Sequence, residues 1–191
     1  EGAKGEPRVR TLQNVAEALG VKLTDLLREE RPLQTVRFRS QKKLRSRENI
    51  LAQVSRWLTD YAQLELLLNQ KVPSVLVPTP GKDPVSAAAI GRKQLGVAPE
   101  DPICDICGLL ERMGVRIRLL PIASEGFFGL SVGERDGGPA VVVNSWQRIS
   151  VERQIFSAAH ELGHLVLHES AYDVVCLEEN PVEEKEANLF A

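Results

Sequence analysis

Phe156-Ser157-Ala158-Ala159-His160-Glu161-Leu162-Gly163-His164-Leu165-Val166-Leu167-His168 holds all three histidines of the 191-residue chain within nine positions. Ser150 can cap a helix that runs through this stretch to about His168. His160, Glu161 and His164 form an H-E-x-x-H pattern. Residues i and i+4 of a helix lie about 40° apart around the axis and about 6 Å along it, so two imidazoles can converge on one cation. Glu161, beside the first histidine, then flanks the ion rather than binding it. There it can take a proton from an activated water and pass it to a leaving amine. Imidazole and carboxylate ligands with one open position favour zinc, Zn2+.

A third ligand is needed. His168 sits about 12 Å along the axis from His160, too far to share an ion whose ligand bonds are near 2 Å. Carboxylates remain, and Glu183, Glu184 and Glu186 open the next helical segment, which begins near Glu178. At least two of the three are expected to be a solvated acidic first turn favoured by the helix dipole. Against the whole site stands a simpler reading, in which the short pattern is a coincidence and the histidines are satisfied core residues of a buried helix.

Outward from this stretch the chain reads as α+β. Val115–Ile122, Gly126–Val132 and Ala140–Asn144 are three β-prone runs, the last two joined by a glycine-rich turn over 133–139. Apolar and basic residues alternate in Val115-Arg116-Ile117-Arg118-Leu119, as in a strand with one buried and one wet face. The expected architecture is a small, curved, mainly antiparallel sheet with the H-E-x-x-H helix, behind a helical head and a linker helix. Helices are expected over 85–95 and over 102–113, the latter opened by Pro102. An amphipathic helix spans about Arg47 to Asn69, and prolines at 73, 78, 80 and 84 mark a connector. Residues 11–30 read as two short helices capped by Thr11 and Thr24, with Gly20 ending the first.

Charge divides the chain. Residues 1–47 hold twelve Lys/Arg against six Asp/Glu, whereas residues 48–191 hold twelve against twenty. Between Arg31 and Arg47 lie seven basic residues and no acid. A basic head on an acidic body suits contact with a polyanion; a solvated linker explains the charge equally well.

Residues 115–191 resemble the ImmA/IrrE-type metallopeptidases. The resemblance is carried by Gly138-Pro139-Ala140-Val141-Val142-Val143-Asn144, by Glu152–Ala159 leading into the histidine stretch, and by Glu184-Lys185-Glu186-Ala187-Asn188-Leu189-Phe190-Ala191. It implies a zinc peptidase with His160, His164 and Glu184 as metal ligands and Glu161 as the catalytic residue, with Glu183 or Glu186 as substitutes for Glu184. It also implies a regulatory protein as substrate, such as a repressor cut once, and a role in stress response. Residues 1–30 resemble the end of a Cro/repressor-type helix-turn-helix domain, on Thr11-Leu12, Val15-Ala16, Ala18-Leu19-Gly20-Val21 and Leu26-Leu27. The helix that reads bases lies upstream in such domains, so the remainder would offer phosphate contacts to DNA. The division expected is therefore 1–30 head, 31–84 basic stretch, helix and connector, and 85–191 peptidase domain, the chain being a piece of a longer one.

Remaining residues carry weaker signals. Cys104-Asp105-Ile106-Cys107 is expected to belong to a core helix stripe rather than to a metal site. Asn144 could orient a substrate beside the H-E-x-x-H helix, although a turn or capping role is expected of it. Tyr172 and His168 are each candidates to donate to an oxyanion, and Arg153 awaits an acidic partner. An odd cysteine number argues against a disulfide framework and for a cytoplasmic setting, and no apolar run approaches the ~18–20 residues of a membrane span. Repressor-type heads commonly pair, so a homodimer is an expectation. Two rivals stand beside the peptidase: a DNA-binding regulator whose peptidase-like domain senses a metal or small molecule without cutting, and a peptidase that acts on its own head.

Overall fold

Alternation in the strands sorts their side chains onto two faces of one sheet, and helices cover both. The computed structural model describes residues 8–27, 32–40, 47–168 and 180–191. The chain forms two compact units, Glu1–Arg31 and Pro32–Ala191. The first contains α1 (Val9–Leu19) and α2 (Leu23–Leu26). Gly20 closes α1 in the left-handed conformation, at φ 66°, as the sequence suggests. The helix starts earlier than a Thr11 cap implies, with Arg8 at its N-cap.

The second unit runs β1 (Val36–Ser40), α3 (Arg47–Leu68), α4 (Pro84–Gln94), α5 (Ile106–Arg112), β2 (Arg116–Leu120), β3 (Phe127–Val132), β4 (Ala140–Asn144), α6 (Val151–Leu167) and α7 (Pro181–Phe190). The sheet order is β1-β3-β4-β2. β1 and β4 pair antiparallel with β3, whereas β2 pairs parallel with β4, so the sheet is mixed. This mixed α/β architecture is compatible with the α+β class expected.

β1 is the main departure from the sequence reading. It lies inside the basic stretch assigned to the 31–84 segment, and it extends the sheet beside β3. Its alternation explains why: Val36 and Phe38 join Ile50, Val54 and Leu58 of α3 and Leu130, Val132 and Val142 in one core. The opposite face carries a second core, where Val141 and Val143 meet Ala158, Leu162, Leu165 and Val166 of α6, Leu110 of α5 and Phe190 of α7. The proline-rich connector lies against the α6-side layer, where Val75 N–H donates to Met113 O at 3.0 Å, Thr79 N–H donates to Val166 O at 2.7 Å and Leu76 packs on the core.

Side-chain caps fix four helix starts, with Asp83 accepting from Ser86 N–H ahead of α4. Ser150 Oγ accepts from Arg153 N–H at 3.3 Å, the cap foreseen for α6. α5 starts at Asp105, which accepts from Gly108 N–H, rather than at Pro102. α7 starts at Asn180, which accepts from Val182 N–H, with Pro181 in its first turn. Among the described residues no helix is long and apolar enough to cross a membrane.

Candidate metal centre

α6 packs over β3 and β4, and this buries the motif. His160 and Glu161 are fully buried and His164 nearly so. Glycine makes two close approaches possible here. At Gly129 of β3 a Cβ would lie 3.2 Å from Glu161 Cγ and Oε1, so the bare backbone gives the Glu161 side chain its room. At Gly163 a Cβ would lie 3.1 Å from Phe190 Cδ1; the missing side chain lets α7 lie directly on α6.

That packing carries Glu184 to the histidines. Its Oε2 lies 3.3 Å from His160 Nε2 and its Oε1 3.0 Å from His164 Nε2, while the two Nε2 atoms are 3.0 Å apart. One atom from each of the three residues falls within 4.8 Å of the others, so His160, His164 and Glu184 could hold a metal ion. Ligand bonds near 2.0–2.1 Å put tetrahedral ligand atoms roughly 3.3 Å apart, and the observed spacings match this. Two imidazole nitrogens and a carboxylate are the donor set zinc favours, and the buried site fits such an ion.

Electrostatics prepare the donors. Burial drives the His164 pKa down to about 4, against the raising effect of its Glu184 hydrogen bond, so its imidazole is neutral near neutral pH. Burial alone would raise Glu184, but hydrogen bonds from both histidines and their attraction hold its carboxyl well below the usual range. His160 Nδ1 donates to Asn188 Oδ1 at 3.0 Å, which leaves its Nε2 lone pair for an ion.

The other two glutamates of α7 are engaged rather than freely solvated. Glu183 pairs with Arg37 of β1, and Glu186 Oε2 lies 2.8 Å from His168 Nε2. Arg37 is buried, and its Nη1 approaches His164 Nδ1 at 3.2 Å. Sequence reasoning took Arg37 only as charge, although Val36-Arg37-Phe38-Arg39 alternates just as β2 does. Asn188 was also missed, yet it lies four residues after Glu184 and so on the same helix face.

The remaining candidates sort as follows. Asn144 is a fastener: its Nδ2 donates to Ile122 O and Phe127 O, and its Oδ1 accepts from Ile122 N–H and Trp146 N–H. Arg153 stacks on aromatic rings, 4.4 Å from the Phe128 centroid and 5.9 Å from that of Phe156. Cys107 packs against the α6-side core, whereas Cys104 is exposed ahead of α5. Both ring nitrogens of His168 are engaged, which leaves none for an oxyanion. Tyr172 and Cys176 lie outside the described residues.

Two histidines and a glutamate around one point, with a second buried carboxylate next to them in sequence, make a metallopeptidase-type arrangement. The comparison with known families agrees: residues 110–191 match the family model of the IrrE N-terminal-like domain, Peptidase M78. That stretch spans α6 and α7 and the strands β2 to β4, but not β1 with Arg37. No curated protein matches the chain.

Proposed function

We propose that this chain is a zinc-dependent endopeptidase that cuts a regulatory protein, with His160, His164 and Glu184 as ligands and Glu161 as general base. The observation that carries the proposal is the convergence of His160, His164 and Glu184 within 4.8 Å. Zinc held there would supply Lewis acidity toward water and a peptide carbonyl. Glu161, fully buried beside His160, would take the proton of the attacking water and return it to the leaving amine. An extended substrate would add to an edge of the sheet, and β1 is the edge whose Arg37 reaches the site. A repressor as substrate rests on the resemblance of residues 115–191 to the ImmA/IrrE-type peptidases, and DNA as a partner rests on the resemblance of residues 1–30 to the end of a repressor-type head.

Peptide-library cleavage read by mass spectrometry tests this, with zinc-loaded wild type beside Glu161→Gln. Expected are cuts by the wild type and none by the variant, both holding equal zinc. Cleavage surviving in Glu161→Gln contradicts the assignment of the base. A zinc-loaded wild type that cuts neither the library nor a helix-turn-helix repressor points to the non-catalytic sensor.

A further inference from the structure

Among the described residues, His164 Nδ1 has two neighbours at 3.2 Å, Arg37 Nη1 and His168 Nδ1. If His164 binds an ion through Nε2, its proton resides on Nδ1 and needs an acceptor. A guanidinium only donates, so Arg37 cannot accept it. His168 can, provided its own proton is on Nε2. Glu186 secures that: its Oε2 lies 2.8 Å from His168 Nε2 and accepts the Nε2–H, which leaves the Nδ1 lone pair toward His164.

We propose that His168 and Glu186 are positioning residues of the metal centre, forming a carboxylate–imidazole–imidazole chain that holds His164 with its Nε2 lone pair toward the ion. The inference rests on the metal-centre reading above. It accounts for the third histidine of the stretch, which helix spacing excludes as a ligand, and for the third glutamate of α7. His160 reaches the same end through the Asn188 amide oxygen. One helix thus supplies a ligand, Glu184, and an orienting group for each histidine.

The test is zinc affinity of the full chain by chelator competition, for wild type, His168→Phe, His168→Gln and Glu186→Leu. Thermal unfolding without metal reports whether each variant folds. Outer partners of metal-bound histidines typically contribute 10- to 100-fold in affinity, and His168→Phe should lose roughly that. His168→Gln should recover most of the loss, because its amide oxygen accepts the same proton. Glu186→Leu, on a partly exposed position, should fold normally and lose less than His168→Phe. Nitrogen NMR of zinc-loaded wild type should show the His164 proton on Nδ1, hydrogen-bonded to His168. Unchanged affinity in His168→Phe and Glu186→Leu, or a His164 proton bonded elsewhere, would overturn the proposal even if the Phe variant folds poorly. A wild type that binds no zinc would instead bring down the metal-centre reading, and this inference with it.

Discussion

The two edge strands of the sheet share a pattern and use it in opposite phase. Val36-Arg37-Phe38 in β1 and Val115-Arg116-Ile117-Arg118 at β2 both alternate apolar with basic residues. Register decides what each residue meets. Arg37 pairs with Ser131, Ser131 with Val141 and Val141 with Ile117, so one row on the α6 face runs from an arginine at one edge to an isoleucine at the other. On the α3 face, Val36 shares its row with Val132, Ala140 and Arg116. Each of these arginines, buried at Arg37 and half-buried at Arg116 and Arg118, therefore needs local company. Arg116 finds Glu65 Oε2 at 2.5 Å and the Tyr61 ring at 5.0 Å, and Arg118 lies 5.5 Å from the Trp57 ring. Arg37 finds Glu183 and the metal centre. An alternating strand thus announces two faces, while its neighbours determine which face receives the charge.

The largest effect should come from Val36→Arg. It forces a guanidinium into the α3-side core at an edge where the residue is 1% exposed and Glu65 and Tyr61 are not at hand. A loss above about 4 kcal/mol in denaturant unfolding is expected, since an unpaired buried charge is among the costliest substitutions.

Next come Arg37→Met and Arg116→Met. Each leaves a mostly buried glutamate without its cation and should cost about 3 kcal/mol. They should differ at the centre: removing Arg37, a cation beside His164, should tighten zinc binding severalfold, and removing Arg116 should leave it unchanged. Chelator competition on both variants checks the split, and equal affinities would erase the functional difference between the strands.

Gly163→Val presses on Phe190 and should cost about 1–3 kcal/mol through overpacking. Because the same contact seats α7, it should also weaken zinc binding, by displacing Glu184, and loosen the Arg37–Glu183 pair. The smallest effect belongs to Arg118→Ala, which removes the ring contact with Trp57 and should cost about 0.5–1 kcal/mol in thermal unfolding.

Much of this was legible in the chain because local chemistry carried it. Ser150, Gly20 and the alternation of residues 115–119 foretold a cap, a helix end and a strand. Helix spacing brought His160 and His164 together and set His168 apart. Glu184 was named through resemblance, since choosing among three neighbouring glutamates requires knowing how α7 lies on α6, and that depends on Gly163 and Phe190. β1 was hidden because seven basic residues with no acid between Arg31 and Arg47 read as a solvated face; a partner strand and the half-buried Glu183 make a buried Arg37 tolerable. The parallel pairing of β2 with β4 is likewise a long-range fact that no local pattern encodes.

The central claim is that His160, His164 and Glu184 form one metal centre. Zinc bound per chain, measured on the purified full chain beside His160→Ala and Glu184→Gln, tests it most directly. About one zinc per wild-type chain, lost or sharply weakened in both variants, is the result this account predicts. A wild-type chain that takes up no zinc when it is supplied, or variants that hold it as tightly as wild type, would contradict it.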